Sequence, residues 1–133
     1  MTAIHLHLAC NHLPLWLQLS STGLLARNYA TDRGLIAALQ VSTVLALWAA
    51  YWSGCEAAVA VGSLPIDCQS LAWHQEAALQ VLVCSLAVLI FGLACRNRGL
   101  RLAVGLCFLI YLGYTSWLGG CIRHTELLMG TPP

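Results

Sequence analysis

Histidine recurs at three places where an apolar stretch of this chain gives way to polar residues. His7 and His12 lie in the first, His74 in the second and His124 in the third. Imidazoles that come from separate helices of a bundle are common axial ligands of haem b, and they also bind zinc, iron or copper. If the stretches between them cross a bilayer, the three clusters meet on one side of it. The sequence therefore predicts a shared cofactor site there.

Composition indicates the class of protein that must position these residues. Of the 133 residues, 59% are hydrophobic and 8% are charged, and there is no lysine. A soluble domain of this size needs far more polar surface to cover its core. The six arginines are scattered and the net charge is only +1, which excludes nucleic acid as a partner. We expect an integral membrane protein with the lipid bilayer as its main environment.

Apolar windows long enough to cross the hydrocarbon core, which takes about 20 residues each, predict the secondary structure. They cover residues 4–26, 35–53, 73–95 and 102–121, and residues 54–72 form a longer loop. The prediction is an all-α fold, a four-helix up-down-up-down bundle that makes residues 1–133 a single transmembrane domain.

Arginine predicts the orientation of the bundle. Five of the six arginines fall in the two short connections: Arg27, Arg33, Arg96, Arg98 and Arg101. Because basic residues are enriched in cytoplasmic loops, both termini and the loop 54–72 are expected on the non-cytoplasmic side. The two hairpins also look alike. Each starts with histidine, turns at arginine and ends in an aromatic, glycine and cysteine group, which predicts an internal parallel repeat.

Three motifs carry a family resemblance. They are Asn11-His12-Leu13-Pro14, His74-Gln75-Glu76-Ala77-Ala78 and Gly119-Gly120-Cys121-Ile122-Arg123-His124-Thr125-Glu126. In this order they resemble a family of small four-helix bacterial membrane proteins classed as a domain of unknown function, and the likeness covers nearly the whole chain. Related domains are sometimes joined to c-type cytochrome modules, so the resemblance implies a redox setting in the bacterial inner membrane. The chain departs from the pattern at Ala58 and Val59, where the family has acidic residues.

Haem b is the leading ligand. The predicted axial ligands come from His12, His74 and His124, with His7 secondary. Small residues near His74 and His124, namely Ala77, Ala78, Gly120 and Cys121, leave room for a flat ring between helices. Arg123 suits a haem propionate, although a lipid phosphate fits it equally well. The plain alternative is that each histidine is solvated at the membrane surface.

His7 and His12 differ by about 140° on an ideal helix, so they are not expected to share a pocket. His7 then serves a second site or lies at the surface.

Two other readings compete with the cytochrome. A zinc, iron or copper ion could be held by His12, His74 and His124, with Glu76 orienting an imidazole. A cofactor-free subunit could instead stabilise a respiratory or photosynthetic membrane complex by packing against its protein partners. No CxxC, CxxCH, Walker or Ser-His-Asp pattern is present in the sequence. We therefore expect an electron carrier or accessory subunit more than a stand-alone enzyme.

Cys55 and Cys68 share the predicted outer loop. Because the non-cytoplasmic compartment permits disulfides, a bridge between them is a further expectation.

Overall fold

The structure is a computed structural model that describes residues 7, 11–27, 33–61 and 68–129; the side chains of residues 60, 61, 68, 70 and 120–129 lie outside the described set. Within these ranges the fold is all-helical. Its helices are α1 (Leu13–Ala26), α2 (Arg33–Val61), α3 (Cys68–Ala94) and α4 (Arg98–Met129). His7 precedes α1 and is itself in a helical conformation. The prediction of an all-α chain with four helices is confirmed for the described residues.

Three of the described helices are long and apolar enough to cross a bilayer: Arg33–Val59, Leu71–Ala94 and Arg98–Gly119. The described part of the first predicted span is α1, which has 14 residues. Large apolar side chains cover the outside of the bundle, including Trp16 (64% exposed), Leu45 (65%) and Ile110 (74%). Such a surface is suited to lipid contact, and a water-soluble monomer rarely shows it. The chain is therefore a membrane protein.

The helices extend past the predicted windows. Helix α2 continues to Val61, α3 begins at Cys68 and α4 runs from Arg98 to Met129. Residues 54–61 and 68–72 of the predicted outer loop are thus helical. The difference has a physical reason, because a hydropathy window finds the part of a helix that suits hydrocarbon. A helix runs on into water where residues such as Glu56, Ala57 and Ala58 favour it.

The short connection between α3 and α4 shows how the second hairpin turns. The Leu100 backbone N–H donates to Asn97 Oδ1 at 3.1 Å, which caps the N-terminus of α4. Arg98 Nε donates to the Leu25 carbonyl at 2.9 Å, and its Nη2 donates to the Ala26 carbonyl at 2.8 Å. These carbonyls end α1 and have no intrahelical partner, so Arg98 ties α4 to α1.

The helices pack as a closed ring in which α1 contacts α2, α2 contacts α3, α3 contacts α4 and α4 contacts α1. Their shared core is a cluster of five apolar side chains: Leu47, Val81, Leu82, Phe108 and Leu112. Buried polar side chains also face the interior, among them Gln18, Thr22 and Gln40. Glycines make room for them, because a Cβ at Gly92 would stand 2.6 Å from Gln40 Oε1.

Several residues of α2 recur in α4 at a constant spacing. Both helices begin at an Arg-Gly-Leu sequence, at residues 33–35 and 98–100. Trp52 and Trp117 are also 65 residues apart, as are Gly54 and Gly119. These matched positions support the predicted internal repeat.

Candidate functional site

His7 is held against helix α2. Its Nδ1 donates to the main-chain carbonyl of Ala50 at 3.0 Å and lies 3.4 Å from Ser53 Oγ. The ring rests on Gly54, where a Cβ would stand only 2.9 Å from the imidazole Cε1. A carbonyl can only accept, so the hydrogen bond places the proton on Nδ1 of the neutral ring and leaves the Nε2 lone pair available.

His74 is held against helix α4 in the same manner. A Cβ at Gly119 would stand 2.9 Å from its Cε1 and 3.3 Å from its Nε2. The main-chain carbonyl of Thr115 interacts favourably with the ring. Its Nδ1, however, is buried without a hydrogen-bond partner. Burying such a nitrogen costs about 1–3 kcal/mol unless something binds it.

The two imidazoles lie close enough to interact electrostatically with each other. We use the name histidine end for the end of the bundle where the two imidazoles lie. The opposite end is the arginine end, and it carries Arg27, Arg33, Arg96, Arg98 and Arg101. The environments of the two rings correspond. Each ring rests on a glycine and faces the main-chain carbonyl four residues before that glycine. For His7 these are Gly54 and the Ala50 carbonyl, and for His74 they are Gly119 and the Thr115 carbonyl. Each ring therefore packs against the second helix of its own hairpin.

An imidazole with an unused ring nitrogen is the kind of ligand that haem iron and other metals take from a protein. Within the described residues, no three His, Cys, Asp or Glu side chains come together as a metal-binding group.

The other predicted site residues lie elsewhere or outside the described set. His12 is exposed at the start of α1, and its side chain makes no capping hydrogen bond. His124 and Arg123 belong to α4, but their side chains lie outside the described residues. His7, ranked second by sequence, is the histidine that lies within electrostatic range of His74. The correspondence of Gly54 with Gly119 was the signal that could have ranked it higher.

Glu76 and Cys55 both lie on helices. Glu76 Oε1 accepts from Gln80 Nε2 at 3.2 Å within α3. Cys55 is an exposed free thiol on α2. The side chain of Cys68 lies outside the described residues, so the bridge between Cys55 and Cys68 stays a prediction.

A polar contact that the sequence reasoning missed lies on the outside of the second hairpin. The Tyr111 hydroxyl on α4 donates to Gln80 Oε1 on α3. Both positions stand within apolar stretches, and nothing in their spacing along the chain marks them as partners.

Comparisons with known proteins add no relative: no family model, no curated protein and no solved structure matches this chain. Function must be argued from the side chains themselves.

Proposed function

We propose that this protein is a small membrane cytochrome, or a haem-bearing subunit of a larger electron-transfer complex, with haem b ligated by His7 and His74. One observation carries the proposal: the imidazoles of His7 and His74 come from separate segments and lie within electrostatic range of each other. A b-type haem of the bis-histidine kind takes two axial ligands from the protein, whereas zinc usually takes three or four. The bound iron would supply one-electron transfer.

The residues around the pair fit this ligand. The hydrogen bond from His7 to the Ala50 carbonyl fixes the ring orientation, as a second-shell partner does for most metal-bound histidines. Gly54 and Gly119 let each imidazole lie directly on the neighbouring helix. The buried nitrogen of His74 marks a ring with unused binding capacity. Two imidazoles are a full set of protein ligands for the iron of a bis-histidine haem b, so haem is the preferred cofactor.

The arrangement in the membrane follows from the distribution of charge. We infer an up-down-up-down bundle in a bacterial inner membrane, with the arginine end in the cytoplasm and the histidine end on the opposite side. Both termini are then non-cytoplasmic, and electrons pass near the outer face. With so little chain outside the bilayer, the protein would meet its donor and acceptor through other subunits of a respiratory or photosynthetic complex.

The test is purification in detergent followed by a pyridine haemochrome assay and metal analysis. We expect haem b in the wild-type protein and a loss of most of it in His7→Ala and in His74→Ala. His12→Ala is the matched control because His12 is exposed, and it should keep its haem.

Two results would contradict the proposal. A wild-type protein that is colourless and free of metal after growth with ample iron would leave only the structural-subunit reading. Haem that survives both His7→Ala and His74→Ala would show that other residues hold it.

A further inference from the structure

A second polar cluster lies on the outer face between α3 and α4 and begins at Glu76, two residues after His74. The Tyr111 hydroxyl donates to Gln80 Oε1, and Gln80 Nε2 donates to Glu76 Oε1 at 3.2 Å. Gln80 and Glu76 are exposed on the outside of the bundle, and Tyr111 is half-buried. The three side chains thus form a continuous hydrogen-bonded chain on a face turned to lipid.

A hydrogen-bonded chain of polar side chains is energetically unfavourable on a lipid-facing surface. Glu76 and Gln80 belong to the span Leu71–Ala94, and Tyr111 belongs to the span Arg98–Gly119. Tyr111 lies eight residues before Gly119, which puts it about 12 Å along the helix from that end. Ionisable and amide groups in a lipid-facing span are unfavourable, and they commonly mark functional positions.

The position in α2 that corresponds to Tyr111, 65 residues earlier, is Ala46, which is apolar and buried. A polar side chain is therefore not required at this position for helices to pack.

The direction of the hydrogen bonds indicates what the chain binds. Each proton points toward Glu76, so the hydroxyl proton of Tyr111 is already used and its oxygen offers only acceptor lone pairs. The complementary group on a ligand is therefore a hydrogen-bond donor, such as a hydroxyl. A ligand that reaches this face from the bilayer must also be soluble in lipid. Phospholipid phosphate and ester groups fail the first condition because they only accept.

Aromatic rings extend from Tyr111 toward the end of its span. Tyr114 is within electrostatic range of the Tyr111 phenol, and its ring centroid is 6.0 Å from that of Trp117. Tyr114 is 51% exposed and Trp117 is 62% exposed. Rings at intervals of three residues offer flat surfaces beside the polar chain, and aromatic pairs favour such contact with another ring.

We propose that the outer face of α3 and α4 at Glu76, Gln80 and Tyr111 binds a lipid-soluble hydroquinone whose hydroxyl donates to Tyr111 Oη. The Tyr111–Gln80–Glu76 chain holds the head group, and the exposed rings of α4 flank the ligand. This site is separate from the histidine pair and does not depend on the presence of haem.

The experiment uses the full chain in phosphatidylcholine nanodiscs and a fluorinated benzohydroquinone with a decyl tail. Binding is followed as a saturable shift of the fluorine NMR signal, with empty nanodiscs as the blank. Tyr111→Phe and Gln80→Leu are each expected to weaken binding by about tenfold, since each removes a hydrogen bond from the chain. Tyr51→Phe is the matched control, because Tyr51 also packs partly buried against the core, but on α2. It should bind as the wild type does.

Circular dichroism of each variant separates a lost site from a lost fold. The same titration on His74→Ala should show unchanged hydroquinone binding. The hydroquinone proposal is therefore tested independently of the haem assay. The proposal is overturned if the fluorine NMR signal shifts no more than it does with empty nanodiscs. It is also overturned if the Tyr111→Phe variant binds the hydroquinone as well as the wild type does. A variant with Cys84 as its single cysteine, an exposed thiol near Tyr111, tests whether a second copy of the chain covers this face. If this variant forms disulfide-linked dimers efficiently, the face is a protein contact, and the proposal is overturned.

Discussion

His74 lies so close to Gly119 that a Cβ on the glycine would stand 2.9 Å from the imidazole Cε1. Gly119→Ala therefore forces the ring, or helix α4, to move. We expect the free energy of unfolding to fall by about 1–3 kcal/mol, the usual cost of overpacking. If His74 ligates haem, haem content should fall as well. Denaturation in mixed micelles measures the first effect, and the pyridine haemochrome assay measures the second.

Gly113→Ala is the matched control on the same helix, because a Cβ there meets nothing within 4 Å. It should stabilise helix α4 by about 0.5–1 kcal/mol, since alanine loses less backbone freedom on folding. Equal effects of the two substitutions would show that the close approach of His74 and Gly119 is unimportant.

The two histidines should respond oppositely to replacement by leucine in haem-free protein. His74→Leu removes a buried nitrogen that has no hydrogen-bond partner. We expect it to raise the free energy of unfolding, by up to about 1–3 kcal/mol. His7→Leu removes the bond to the Ala50 carbonyl and should lower stability by about 0.5–1.5 kcal/mol. Chemical denaturation of the two apoproteins makes the comparison.

Haem addition should reverse the order of the wild type and the His74→Leu variant. The wild type gains stability from the ligand that it binds, and the variant does not. If His74→Leu is less stable than the wild type even without haem, the unpartnered nitrogen of His74 has no energetic cost.

Composition and apolar windows were sufficient to predict the class of fold, because membrane helices need long hydrophobic stretches. They failed at the helix ends, where α2 runs on to Val61 and α4 to Met129. These extensions depend on local helix propensity outside the hydrocarbon, which hydropathy does not measure.

The sequence singled out the histidines, and His74 was among the leading candidates. It did not predict that His7 lies within electrostatic range of His74, because this depends on which side of a helix meets a glycine on its neighbour. Spacing along one segment gives the angle between His7 and His12, but it does not give the rotation of that segment in the bundle. The contact between Tyr111 and Gln80 was missed for the same reason.

Arg98 should be important for closing the ring of helices. It donates to the Leu25 and Ala26 carbonyls at the end of α1. Arg98→Met keeps the length of the side chain but removes both hydrogen bonds, and we expect a loss of about 1.5–3 kcal/mol in unfolding free energy. Arg96→Met in the same connection is the control, because Arg96 is exposed. Comparable losses in both variants would indicate an effect of charge near the membrane rather than of the contact with α1.

The inferred orientation in the membrane can be tested by labelling one thiol at each end. Cys55 is an exposed free thiol near the histidine end, and exposed Arg96 lies at the arginine end. One variant keeps Cys55 as its single cysteine, and the other carries Arg96→Cys in a cysteine-free chain. A maleimide that does not cross membranes should label the first variant in intact spheroplasts and the second only after the membrane is opened. Because five of the six arginines lie at one end, the positive-inside bias makes this outcome the expected one. The opposite pattern would move the histidine pair to the cytoplasmic side, and labelling of both variants in intact cells would mean that the chain inserts in two orientations.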